Sequence, residues 1–443
     1  MKTKEVMEKV IELSLANGAQ GSDVILSEGK SFSASVQNAD LDKYEVSGSK
    51  ILGVRVIKDQ KIGLSFTEDF TADSLEVVVS KAIENSQFSK VNENAFIAND
   101  SKESSSHIDN KTEEIEVNDL IELNKELESK VKELDKRVSG SPYNGVSENE
   151  SKSHFLNSNG RYCYEEDYSL SCYTSALIKD GEKNSLHYYG SVAKKLSELD
   201  YQKCIDESFH HAKEWLDASP IKSGKYPVIF SIDQMQSLFG AFHRMYSAKA
   251  RMEKSNPMSE KLNQQIFSKN LSILDVPTYE KALFASPFDS EGYARKDLTL
   301  VENGVLKNFF HNSETAAFFK EENNFRAARG ARSALSVGGT HTLIQKGKDS
   351  EKDLTSQKYL MVHSMQGLHS GLNFMSGDFS FGASGYLMEN GEALQAVNGI
   401  TVAGNFYDLL NEIDGIGDTI HSNSSTSFFA PTIRFSKLTV AGV

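Results

Sequence analysis

The pattern of apolar and polar positions predicts a helix, a small sheet and a second helix in the first part of the chain. Residues 1–18 carry an apolar stripe at helical spacing that ends at Asn17-Gly18, and its members are Val6, Val10, Ile11 and Leu15. Short segments rich in β-branched residues predict strands at 23–27, 31–37, 50–57 and 61–67, with a turn at 58–60. Helical spacing returns at 72–84. This order indicates an α+β layer.

A long helix and an antiparallel meander follow in the pattern. The segment 99–114 is crowded with polar residues and predicts a loop. The next apolar stripe covers only about two heptads, so it predicts a helix that faces a core rather than a coiled coil. Its members are Leu120, Leu123, Leu127, Val131 and Leu134. Residues 150–196 alternate aromatic and polar side chains around two hairpin signals, Asn159-Gly160 and Asp180-Gly181, and predict about four antiparallel strands.

The second half of the chain repeats short strands and Gly-containing turns. A helix at 200–217 precedes the segment 220–227 (PIKSGKYP), which resembles a connector between domains. We therefore divide the chain into an N-terminal α+β domain, 1–219, and a C-terminal β-rich domain, 220–443, with helices near 233–252, 313–320 and 404–412. The predicted fold class is a two-domain α+β protein with mainly antiparallel sheets and flanking helices.

Length, charge and cysteine content narrow the classes of function. A chain of 443 residues is long enough for two or three domains. Its net charge of -14 argues against nucleic-acid binding, which needs concentrated Lys and Arg. No stretch approaches the roughly 18 apolar residues of a membrane span, so we expect no membrane segment. Cys163, Cys172 and Cys204, in a chain without a signal-peptide pattern, predict reduced structural thiols and a cytoplasmic location.

The spacing of potential catalytic residues supports no metal or nucleotide site. A zincin helix needs a His-Glu dipeptide and a second His one turn later, and none of the 11 histidines is followed by Glu. His210 and His211 are adjacent, so they point away from each other on a helix and predict solvated side chains. His363 and His369 could share a metal only across a bend. The sequence contains no P-loop, dinucleotide loop or G-x-S-x-G elbow.

Two carboxylates in the segment 287–292, Asp289 and Glu291, are close enough in sequence to approach a common ligand. We favour the alternative, a turn in which the Asp289 carboxylate accepts backbone hydrogen bonds. Cys163 and Cys172 fall in an alternating strand pattern, which favours a packing role over a nucleophile.

Six segments of the second half occur in an order that resembles the TldD/PmbA family. They are 223–228 (SGKYPV), 286–292 (SPFDSEG), 301–307 (VENGVLK), 376–380 (SGDFS), 389–392 (ENGE) and 400–405 (ITVAGN). The first half agrees more loosely, through 53–56 (GVRV) and 157–160 (NSNG). The resemblance covers almost all of residues 220–443 and implies the two-domain fold of that family.

The chain departs from the zinc-binding member of the family. That member carries an H-E-x-x-x-H helix just after the connector and a Cys ligand near its C-terminus. Aligned with that helix, this chain has Phe239, Gly240 and Arg244 in place of His, Glu and His, and His243 is one position off. The stretch 423–443 contains no Cys. The resemblance therefore implies a PmbA/TldE-type subunit without catalytic or metal-binding residues, with zinc only on a TldD-like partner.

The resemblance also implies partners and a substrate class. Pairs in this family enclose a cavity in which an unfolded peptide binds as an extended strand and is cut, and the family is linked to modulation of DNA gyrase. We expect a heterodimer with a TldD-like zinc peptidase subunit, or a homodimer. Two alternatives stay open: a stand-alone metal-dependent peptidase with ligands such as His363, His369 and Asp378, or a homodimeric binding or scaffold protein.

The segment 374–386 (FMSGDFSFGASGY) is the candidate lining of a peptide chamber. Its small residues permit the close backbone approach that an extended peptide needs, and Phe379 and Phe381 face one way on a strand. The candidate lining residues are Gly377, Asp378, Phe379, Gly382 and Gly385. The alternative is a buried strand pair whose glycines relieve crowding.

Overall fold

The computed structural model describes residues 2–98, 104–108 and 115–443. Its helices are α1 (Thr3–Ala16), α2 (Ala72–Phe88), α3 (Val117–Leu134), α4 (Tyr201–Trp215), α5 (Ile232–Phe242), α6 (Ala248–Met252), α7 (Ser313–Phe319), α8 (Glu351–Thr355) and α9 (Phe406–Leu409). Its strands are β1 (Gly21–Gln37), β2 (Asp40–Lys58), β3 (Lys61–Thr67), β4 (Ser104–Ile108), β5 (Val138–Gly140), β6 (Gly145–Asn157), β7 (Tyr162–Asp180), β8 (Lys183–Ala193), β9 (Gly224–Phe230), β10 (Ile273–Asp275), β11 (Leu298–Glu302), β12 (Val305–Leu306), β13 (Ala327–Ala328), β14 (Ser336–Val337), β15 (Thr342–Ile344), β16 (Tyr359–Gln366), β17 (Asp378–Glu389), β18 (Glu392–Asn405), β19 (Ile413–Ser422) and β20 (Phe428–Ala441).

The first sheet joins the strands of the N-terminal half in the order β3-β2-β1-β6-β7-β4, and β5 and β8 also pair with β7. Its hairpins close at turns with positive φ: Asp59 and Gln60 before β3, Gly160 before β7 and Gly181 before β8. These are the three turns that the sequence predicts. The α+β class with mainly antiparallel pairing is confirmed, with parallel pairing at β4–β7, β9–β16 and β15–β20.

Strand lengths in this sheet differ from the prediction. Residues 21–37 form one strand where the sequence predicts two, and the partner β2 begins at Asp40 rather than at residue 50. The outer half of β2 was not predicted because its residues are exposed and carry no apolar stripe. The predicted four-strand meander consists of three long strands, β6 to β8. Residues 104–108 form strand β4 inside the predicted loop, whose remaining part, 99–103 and 109–114, lies outside the described residues.

The helices of the first half cover the sheet with their apolar faces. On α1, Leu15 is 42% exposed, contrary to the predicted stripe, because Ser14 takes the buried position and donates a hydrogen bond to the Val10 carbonyl at 2.7 Å. The core-facing prediction for α3 is confirmed, since Leu120, Leu127 and Val131 are fully buried.

The second sheet contains a closed ring of five strands. Its order runs β20-β18-β17-β16-β9, and β9 pairs back onto β20. Strand β9 begins at Gly224, so the end of the predicted connector is part of the sheet. Helix α5 follows β9 directly and packs against β9, β16 and β20. Within the described residues, no helix combines the length and apolar character needed to cross a membrane.

A buried ionic cluster joins the first sheet to the C-terminal half. Asp23 on β1 accepts hydrogen bonds from Arg55 on β2, with Nε at 2.7 Å, and from Arg329. Glu291 Oε1 lies 3.9 Å from Arg55 Nη2. Burial raises the pKa of Asp23, but Arg55 and Arg329 outweigh it, so the pKa lies below its usual value. The cluster fixes how the two halves of the chain are placed.

The predicted turn around Asp289 is confirmed. Its Oδ1 accepts the N–H groups of Glu291 and Tyr293, both at 3.0 Å, and its Oδ2 accepts that of Ala327 at 3.1 Å.

Candidate functional site

A cavity of about 790 Å³ lies where the first sheet meets the ring of the second. One wall comes from β8 and α4, and the other comes from β16, β17 and the start of α5. The walls include residues 184–190, Glu207, His211, Trp215, Asp233, His363, Ser384 and Asn398. The mixture of imidazole, indole, carboxylate and amide groups makes this cavity the candidate functional site.

Three histidines from three different elements meet at the head of the cavity. The ring of His211 on α4 lies 4.9 Å from that of His187 on β8 and 4.8 Å from that of His363 on β16. His211 Nδ1 is 2.6 Å from the Tyr386 hydroxyl on β17, and its Nε2 is 3.2 Å from Glu207 Oε2. His211 is therefore held from both sides.

Burial sets the electrostatics of this group. It lowers the pKa of His187 to about 4 and that of His363 to about 3, and the neighbouring His211 adds to both shifts. Burial also lowers the pKa of His211, although Glu207 opposes the change. The pKa of Tyr386 is raised, first by burial and then by its hydrogen bond to Glu214. At neutral pH the cluster presents uncharged rings.

Trp215 provides a hydrogen-bond donor at the same place. Its ring stacks on His211 with centroids 5.3 Å apart and meets His187 edge-on at 5.0 Å. Its indole Nε1 is buried and has no hydrogen-bond partner among the described residues. A buried N–H without a partner is uncommon in folded proteins, and this one belongs to a residue that lines the cavity.

Strand β8 presents a free edge to the cavity. Among the described strands it pairs with β7 alone. A two-residue turn joins the two strands and pairs Asp180 with Lys183, so hydrogen-bonded and non-hydrogen-bonded pairs alternate from there. The backbone groups of Asn184, Leu186 and Tyr188 consequently point away from β7. All three residues line the cavity.

The five candidate lining residues lie on or beside β17, with different surroundings. Phe379 is 4% exposed and packs into the core, with its ring 5.2 Å from that of Phe381, so both rings do face one way and that way is inward. Asp378 and Gly382 lie on the exposed side of the strand. Gly377 has a φ of +88°, and the Asp378 carboxylate accepts hydrogen bonds from Ser376 and Asn405.

The two other glycines differ in the space around them. A Cβ on Gly382 would meet only Gln366 Cβ, at 3.8 Å, whereas a Cβ on Gly385 would lie 1.9 Å from the Met361 carbonyl oxygen. Relief of crowding thus describes Gly385 and does not describe Gly382. Gln366, the neighbour of Gly382 on β16, lines the cavity.

The structure changes the interpretation of the histidines. His210 is solvated as predicted, but His211 is 6% exposed, because adjacent residues on α4 point in different directions and one of them packs against β8 and β17. His363 joins His211, while His369 is exposed in the turn after β16. In the part of the chain that the structure describes, one group of three residues could hold a metal ion: His210, His211 and Glu214.

Family models match most of the chain. The PmbA/TldA metallopeptidase C-terminal domain matches residues 223–442, domain 1 matches 22–86 and the central domain matches 110–214. The chain belongs to the TldD/PmbA family. This confirms the resemblance drawn from the six C-terminal segments.

Relatives in the TldD/PmbA family align over nearly their whole length. The Metalloprotease PmbA homolog of Haemophilus influenzae is 24% identical over 99% of this chain and 96% of its own. Metalloprotease PmbA of Escherichia coli O157:H7 is 24% identical over 95% and 93%. A crystal structure from Thermotoga maritima, described as a modulator of a DNA gyrase, is 26% identical, superposes with a TM-score of 0.88 and covers 99% of this chain and 100% of its own.

The positions aligned with the zinc helix of the TldD/PmbA family do not fit a metal. On α5, Phe239 is buried between Phe406 and Phe428, with ring centroids 5.4 and 5.6 Å away. Gly240 has no side chain, and Arg244 donates a hydrogen bond to the Ser255 hydroxyl. None of these three groups supplies a neutral imidazole or carboxylate donor. The start of α5, by contrast, lines the cavity.

Proposed function

We propose that this chain is a non-catalytic, PmbA/TldE-like subunit that pairs with a TldD-like zinc peptidase subunit and helps it process unfolded peptides. The observation that carries the proposal is the sequence on and just after α5. The chain belongs to a metallopeptidase family, yet it has Phe239, Gly240 and Arg244 where the zinc-binding member has His, Glu and His. A subunit without donors there contributes binding and enclosure, and the hydrolytic water must be activated elsewhere.

The cavity supports a role in holding peptide. The free edge of β8 offers backbone N–H and C=O groups, and strand addition recognises main chain without regard to sequence. Residues 184–190 form a continuous wall along this edge. Trp215, Ser384 and Asn398 line the same space, and the Ser384 hydroxyl donates a hydrogen bond to Asn398 Oδ1 at 2.9 Å.

Reconstitution tests the subunit role. The purified chain, its TldD-like partner from the same organism and the mixture are assayed for complex formation by light scattering and for cleavage of unfolded casein peptides. We expect a complex and cleavage in the mixture, and no cleavage by this chain alone. Peptide cleavage by this chain after every trace of the partner is removed would contradict the proposal. A stable homodimer that does not bind the partner would favour a scaffold role.

A proline pair tests the edge strand within the assembled complex. Leu186→Pro removes an N–H that points into the cavity, and proline is tolerated at such edge positions. Val192→Pro removes an equivalent outward N–H of β8 at a residue that does not line the cavity. We expect weaker peptide turnover in the first variant only. Equal turnover in both well-assembled variants would exclude the β8 edge as a peptide site.

A further inference from the structure

Helix α4 carries a cluster of donors that the family's zinc chemistry does not use. One ligand atom each from His210, His211 and Glu214 lies within 4.8 Å of the others, and no second such group occurs in the described ranges. His210 and Glu214 are four residues apart and therefore share one side of the helix. His211 contacts Tyr386 on β17 and lines the cavity, so the three residues lie at the boundary between the exposed face of α4 and the cavity.

The distances suit a small cation with nitrogen and oxygen ligands. His210 Nε2 lies 3.2 Å from Glu214 Oε2. Two ligand atoms on tetrahedral zinc, with bonds of about 2.0 Å, are separated by roughly 3.3 Å. The His210 side chain is 61% exposed and that of Glu214 is 34% exposed, so both can rotate to close the remaining gap to His211.

A second layer of contacts orients the buried ligand. His211 Nε2 lies 3.2 Å from the Glu207 carboxylate, and Nδ1 lies 2.6 Å from the Tyr386 hydroxyl. Metal-bound histidines regularly have such a carboxylate partner, which fixes the ring orientation and raises ligand basicity. Both ring nitrogens of His211 thus have partners, so a cation would bind Nδ1 in place of the Tyr386 hydroxyl while Glu207 keeps Nε2 oriented.

We propose that His210, His211 and Glu214 form a binding site for a divalent transition-metal cation, such as Zn²⁺ or Ni²⁺, at the rim of the cavity. Two imidazoles and one carboxylate favour these ions over Mg²⁺ and Ca²⁺, which prefer sites made wholly of oxygen. The site is separate from the α5 positions of the family's zinc helix. It depends on neither the partner nor the peptide role proposed above.

Titration of the untagged, chelator-treated full chain tests the site. Calorimetry with Zn²⁺ and visible absorption with Co²⁺ measure stoichiometry and affinity, with Mg²⁺ as the comparison ion. We expect one equivalent of Zn²⁺, no saturable Mg²⁺ binding, and a rise in the melting temperature on Zn²⁺ addition. His210→Ala and Glu214→Gln should each weaken Zn²⁺ binding at least tenfold without changing the circular dichroism spectrum.

A matched histidine–carboxylate pair serves as the control. His421 Nε2 lies 3.2 Å from Glu351 Oε1 on the surface, the same separation as in the proposed site, but without a third ligand. His421→Ala should leave Zn²⁺ binding unchanged. The proposal is overturned if the chain shows no saturable Zn²⁺ binding, or if the folded double variant His210→Ala/Glu214→Gln binds one equivalent with unchanged affinity.

Discussion

Replacing Asp23 with Ala removes the centre of the buried cluster that joins the two halves of the chain. The Asp23 carboxylate accepts a hydrogen bond from Arg55 Nε at 2.7 Å and one from Arg329, and it forms an ion pair with Arg55 Nη2 at 2.5 Å. Its side chain and that of Arg329 are 1% exposed. Without it, two guanidinium groups stay buried, and the Glu291 carboxylate lies 3.9 Å from Arg55 Nη2. Breaking such a pair costs about 3–5 kcal/mol, so we expect a loss of that size in the free energy of unfolding.

Urea denaturation followed by tryptophan fluorescence measures this loss, because the single tryptophan, Trp215, lies where the two halves meet. The matched control is Asp217→Ala, which removes an exposed carboxylate paired with Lys183 at 2.6 Å. Exposed pairs contribute little to stability, so the control should unfold like the wild type. If Asp23→Ala unfolded within about 1 kcal/mol of the wild type, the cluster would not hold the halves together.

Two further predictions concern the cavity and its histidines. Gly382→Val should fold and assemble, because a Cβ has room there, and it should weaken peptide turnover if the exposed side of β17 lines the chamber. Gly385→Ala should fail to fold, because its Cβ would lie 1.9 Å from the Met361 carbonyl oxygen. Equal solubility of the two variants would refute this distinction. The pKa values of His187, about 4, and His363, about 3, lie below the usual value of about 6.5, so the unfolded chain binds more protons between these values and pH 6.5. As the pH is lowered through this range, the free energy of unfolding should decrease by about 1.4 kcal/mol per pH unit for each ring. A His187→Gln/His363→Gln variant should show a flatter pH dependence in thermal melts, and identical slopes would exclude these rings as the cause.

The sequence predicts those parts of the fold that depend on local signals. The hairpin turns at 58–60, Asn159-Gly160 and Asp180-Gly181 were predictable because the backbone there needs positive φ or a tight reversal, which few residue types favour. The core-facing side of α3 followed from apolar spacing. The outer half of β2, residues 40–49, was not predicted because its residues are exposed and show no apolar alternation.

Local sequence patterns could not predict the candidate site, because its residues are far apart in the chain. His187, His211 and His363 come from β8, α4 and β16, and only the packing of α4 across the join brings their rings within 5 Å of a neighbour. The sequence predicts solvated side chains for both His210 and His211, because adjacent residues point away from each other on a helix and cannot easily share a metal. The two residues differ in the face of α4 on which they lie. The helical spacing of Cys204, Ile205, Ser208 and Ala212 marks the buried face, and it places His211 on that face.

The packing around α5 also limits whether a few substitutions could restore a zinc site at the aligned positions. A histidine at position 239 would replace a ring that packs between Phe406 and Phe428, and burying an imidazole without hydrogen-bond partners costs about 1–3 kcal/mol. Position 240 has room for a side chain, since its Cβ would meet only Gln236 Nε2, at 3.6 Å. The obstacle is therefore the aromatic core beside Phe239, which has taken over the position that a zinc ligand would need. This packing agrees with the proposed role, in which this chain shapes the cavity and a partner would supply the metal.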